Sequence, residues 1–85
     1  MLDWLVRTAQ DGKPNERSSP FSSPAAAIDA GNEILQKAPS SEVTVYHRLH
    51  SHQACLTFRK TIPADEIRQK AAHLEKQAQL AARSG

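Results

Sequence analysis

The stretch from Glu42 to Lys60 constrains this chain more than any other. Val43, Val45, His47 and Leu49 alternate with Thr44, Tyr46 and Arg48, and Ala54, Leu56 and Phe58 alternate with Cys55, Thr57 and Arg59. A period of two marks a half-buried strand. Two such runs around His50-Ser51-His52-Gln53 predict a β-hairpin with a four-residue turn. In that register Leu49 faces Ala54, His47 faces Leu56 and Val45 faces Phe58. The aliphatic residues then share one side, and a slip of one residue would turn them all to water. The opposite side shows Thr44, Tyr46, Arg48, Cys55, Thr57 and Arg59.

A hairpin needs further elements to bury its apolar side. Ser23-Pro24 starts a helix, with serine as the cap and proline at the first helical position. Ala27, Ile28, Gly31, Ile34, Leu35 and Ala38 fall on one face, and Pro39 ends the helix. Gly31 costs roughly 1 kcal/mol there relative to alanine, so its expected role is a close approach to the sheet. Ile62-Pro63-Ala64-Asp65-Glu66 starts a second helix over residues 64–83, with Ile67, Ala71, Leu74, Ala78 and Ala81 as its apolar stripe. At 1.5 Å per residue that helix is about 30 Å long and overhangs strands of roughly 23 Å. Near the start of the chain, Leu2, Trp4 and Val6 alternate with Asp3, Leu5 and Arg7. Helical spacing also fits these residues, but the turn signal Gln10-Asp11-Gly12-Lys13-Pro14 favours a strand. Residues 10–23 are expected as a long loop, with Phe21 pinning it to the core.

The expected fold is therefore α+β: a single small β-α-β-β-α domain over residues 1–85, with 84–85 as a tail. Two helices cover one face of a three-stranded sheet and the other face stays open. A right-handed crossover would set the first strand parallel to its neighbour. The core is small, because 13 of the 33 apolar residues are alanine. A deep substrate cavity would remove much of it. Asp3 and Arg7 interrupt the initial apolar stretch, which excludes a secretory signal there. No window is apolar enough to span a membrane. A lone Cys55 fits a reducing compartment, and a cytoplasmic location is expected.

Charge is unevenly spread. Residues 1–42 carry −2, residues 43–64 carry +3 and residues 65–85 carry +1. The acid-free segment holds Arg48, Arg59 and Lys60 beside His47, His50 and His52. Such asymmetry suits an acidic partner. Three fixed charges fall short of the roughly 6–10 phosphate contacts common in nucleic-acid binders.

No catalytic residue, metal or cofactor is assigned. His50 and His52 are the metal candidates of the His47-x-x-His50-x-His52-x-x-Cys55 run, but His47 and Cys55 point to opposite faces of the hairpin. Cys55 with a histidine would need a thiolate-stabilising pocket and an oxyanion site that a flat sheet face does not supply. The order of elements is similar to that of double-stranded-RNA-binding domains, built α-β-β-β-α. Their lysine cluster at the start of the last helix is replaced here by Asp65, Glu66, Ile67 and Arg68. The likeness is one of topology, and it transfers no binding residue.

The expected function is a small non-enzymatic adaptor or inhibitor, of a kind that would suit a phage or mobile-element product. It would bind an unidentified protein partner or itself, with no membrane involved. The expected partner-binding residues are Tyr46, Arg48, Thr57, Arg59 and Lys60 on the hairpin, and Leu80 at the overhanging helix end. The alternative is nucleic-acid binding through the basic hairpin 43–60, with Tyr46 stacking on bases.

Overall fold

The computed structural model describes residues 2–10, 13–17 and 20–84. The elements are β1 (Trp4–Gln10), β2 (Lys13–Arg17), α1 (Pro24–Lys37), β3 (Glu42–His47), β4 (Cys55–Phe58) and α2 (Ala64–Ser84). The fold is α+β, and it contains the β-α-β-β-α order and the three antiparallel strands β1, β3 and β4. A further strand, β2, lies in the stretch expected as a loop and extends the sheet to the order β2-β1-β3-β4. It has no apolar alternation because it sits at an edge, where its backbone pairing with β1 needs none. Pro14 is tolerated there for the same reason. Residues 11, 12, 18 and 19 of that stretch lie outside the described residues.

β2 also decides strand direction. β1 runs antiparallel to β3, with Leu5 opposite Tyr46 and Arg7 opposite Thr44, rather than parallel as the crossover rule suggests. β2 turns the chain back before α1, so the crossover joins β2 to β3, two strands of like direction with β1 between them.

The hairpin forms, in a register two residues away from the expected one. Val43 lies opposite Phe58 and Val45 opposite Leu56. A shift of two keeps every side chain on its face, so the aliphatic side is unchanged. The turn is longer, spanning residues 48–53. It is closed by bonds from Gln53 N (3.2 Å) and Ala54 N (2.8 Å) to the His50 carbonyl. Leu49, expected to face Ala54, is instead 65% exposed.

Both helices cover the Trp4, Val6, Val43, Val45 side. That layer is one cluster, joined by Ala27, Ile28 and Leu35 of α1 and by Ala71, Leu74 and Ala78 of α2. The Ser23 hydroxyl caps α1 by accepting from Ala26 N at 3.2 Å. Gly31 lets α1 close onto the sheet: a Cβ there would stand 2.7 Å from Val43 Cγ1 and 2.9 Å from Phe58 Cζ. Phe21 packs against the core and pairs with Trp4, donating to its carbonyl at 2.6 Å and accepting from its N–H at 3.1 Å. Asn32 ties α1 to the segment before α2. Its Nδ2 donates to the Ile62 carbonyl at 2.9 Å, and its Oδ1 accepts from Ile62 N at 2.8 Å.

Candidate functional site

The face of the sheet away from the helices is built in cross-strand rows. Alternation along β1 and β3 brings Asp3, Leu5, Arg7 and Ala9 opposite Arg48, Tyr46, Thr44 and Glu42. Tyr46 and Thr44 in turn lie opposite Cys55 and Thr57 of β4. Among the described residues no helix lies over them. Tyr46 and Leu5 are half-buried, while Arg7, Cys55, Thr57 and Arg59 are exposed. Thr44 is buried among its own sheet neighbours.

The polar groups of this face are largely paired with one another. The Arg7 guanidinium stands 5.5 Å from the centre of the Tyr46 ring, a contact worth about 0.5–1 kcal/mol at an exposed site. Thr44 and Thr57 share a hydroxyl–hydroxyl bond of 2.9 Å. Arg59 Nε donates to Glu42 Oε2 at 2.8 Å, and Arg48 Nη2 to Asp3 Oδ1 at 3.2 Å. As exposed pairs, the last two contribute at most about 1 kcal/mol each. Their greater effect is on the field. Both arginines of the acid-free segment meet a carboxylate from outside it, Arg59 that of Glu42 at its border and Arg48 that of Asp3 near the start of the chain.

Of the residues singled out from sequence, Tyr46, Arg48, Thr57 and Arg59 share this face. Lys60 follows β4 and is exposed. Leu80 belongs to α2 in the helical layer, where it is 53% exposed, so it is not part of the same surface. Sequence reasoning missed Arg7, Leu5, Asp3 and Glu42 as members. The signal for the first three was present in the alternation of residues 2–7, but only the β1–β3 pairing puts them beside Tyr46. Glu42 lies immediately before the acid-free segment 43–64.

The histidines occupy the end of the hairpin. The His47 ring meets Trp4 edge-on at 5.1 Å and stacks on His50 at 5.1 Å. Its Nδ1 accepts from Leu49 N at 3.1 Å. Burial holds its pKa below the ordinary value; His50 and Arg48 push the same way, and Asp3 opposes them. Among the described residues, no three histidine, cysteine or carboxylate side chains are grouped to hold a metal ion. Cys55 is exposed at the edge of the sheet. No helix among the described residues is long and apolar enough to cross a membrane. Compared with protein-family models, curated proteins and solved structures, the chain has no significant match.

Proposed function

We propose that this protein is a small, non-enzymatic interaction module that binds a protein partner, or a second copy of itself, through the open face of its sheet. The observation that carries this reading is the asymmetry of the layers. Both helices cover the Val43/Val45 side, while the Leu5–Tyr46–Cys55 row and the Arg7 guanidinium face outward. Tyrosine and arginine are favoured anchors at interfaces, and here the ring and the cation are already held against each other. The exposed end of α2 around Leu80 offers a second, separate contact.

Nucleic-acid binding through residues 43–60 is the alternative. Its support is weakened by Glu42 and Asp3, which hold Arg59 and Arg48 in ion pairs.

Light scattering across a concentration series, with Tyr46→Glu and Leu5→Glu as probes, tests the proposal. Self-association or partner binding should be lost in both variants while thermal melting is little changed. A wild-type chain that stays monomeric, and whose partner binding survives both substitutions, overturns it. Binding to a single-stranded oligonucleotide that falls with salt and vanishes in Arg48→Glu would move the assignment to the alternative.

A further inference from the structure

The two edges of the sheet differ. β2 reads Lys13-Pro14-Asn15-Glu16-Arg17, a composition of the kind that discourages strand addition. β4 reads Cys55-Leu56-Thr57-Phe58, with neither charge nor proline. His47 N bonds to the Ala54 carbonyl at 2.9 Å, so Leu56 and Phe58 are the β4 residues that exchange both backbone bonds with β3. The N–H and C=O groups of Cys55 and Thr57 therefore point outward, and among the described residues no strand pairs with them.

Beside this edge runs a groove of about 300 Å³ between β4 and α2. Leu56 and Leu74 form its floor, and Cys55, Lys70, His73 and Gln77 its rim. Among the described residues no carboxylate lines it. Lys70, His73 and Gln77 recur at helical spacing along one side of α2.

We propose that the β4 edge and this groove bind an extended, acidic segment of a partner protein by strand addition. The segment's backbone pairs with Cys55 and Thr57. Its groove-facing side chains alternate with outward ones, an apolar residue lying over Leu56 and a carboxylate two residues away reaching Lys70 on the helix side of the groove. The occupant is acidic because the groove offers the Lys70 cation and, among the described residues, no carboxylate to balance it. A second copy of β4 would instead bring Lys70 towards another Lys70. The proposal rests on the protein-binding reading above but uses the backbone edge of β4 and the helix side of the sheet, rather than the outward side chains of the open face.

The test is a titration of the isotopically labelled full chain with a capped heptapeptide in which glutamate, valine and glutamate alternate with threonine. The lysine counterpart of the peptide serves as control. The Cys55 and Thr57 amides should shift and exchange more slowly with solvent. The acidic peptide should bind at least about fivefold tighter than the basic one, and less tightly as salt is raised. Lys70→Glu should erase that preference, and His73→Glu, at an exposed position, should do the same should the first variant fold poorly. Equal binding of the two peptides, or no binding of either, overturns the proposal. Perturbation of Leu5 and Tyr46 in place of Cys55 and Thr57 also overturns it, while leaving the open-face reading standing.

Discussion

Replacing Gly31 by alanine sets two effects of similar size against each other. In an exposed helix the added methyl would stabilise by roughly 1 kcal/mol. Here it would stand 2.7 Å from Val43 Cγ1 and 2.9 Å from Phe58 Cζ. Phe58 is half-buried and its ring can tilt, but Val43 is fully buried, β-branched and fixed on the interior strand β3. Relief must come from moving α1 off the sheet, at an overpacking cost of about 1–3 kcal/mol. The overpacking wins, and the expected net loss is about 1 kcal/mol. In a domain of this size that lowers Tm by roughly 4–8 °C. Urea unfolding and thermal melts of Gly31→Ala measure it directly. Repeating the change in a Val43→Ala background should shrink the penalty, because the closest clashing atom is gone, giving a coupling of about 0.5 kcal/mol or more. A Gly31→Ala chain that melts above the wild type would show that helix propensity governs this position and would refute the close α1–sheet approach.

Asn32→Ala removes both bonds to Ile62 and leaves buried backbone groups unpaired, for an expected loss of about 1–3 kcal/mol by chemical denaturation. Asn32→Asp should be no better at neutral pH, since a carboxylate can accept from Ile62 N but faces its carbonyl, and it should recover in acid. Ser23→Ala removes the α1 cap and should cost about 1 kcal/mol. The lowered pKa of His47 gives a sign for pH dependence. The unfolded chain binds the proton more readily, so stability is full above the unfolded value near 6.5, falls as pH drops through it, and levels off below the folded value. His47→Gln should flatten that slope when unfolding midpoints are compared on either side of the window.

The alternation of residues 43–58 specified a hairpin and its two faces without any tertiary information. Side-chain direction in a strand depends only on parity, so even a register off by two left the aliphatic side correct. Helix bounds were equally legible, because Ser23, Pro24, Pro39 and Pro63 act locally on the backbone. Gly31 announced a close contact because glycine inside a helix is costly unless something uses the missing side chain.

Strand β2 was not legible, since an edge strand with little to bury carries no apolar period. Without it, the direction of β1 against β3 could not be known. The open face was foreseen as uncovered, with Tyr46, Arg48, Thr57 and Arg59 on it, but the residues that join and neutralise them were not. Arg7 and Leu5 join Tyr46, and Asp3 and Glu42 neutralise Arg48 and Arg59, through pairings between strands roughly 35–45 residues apart or across the hairpin. Sequence thus determined what is local: which residues turn, coil or alternate, and which side of each element is apolar. Tertiary structure decided which strands became neighbours, and therefore which charges met and which edge was left unpaired. Such contacts depend on chain reversals that leave no periodic trace in the residues they bring together.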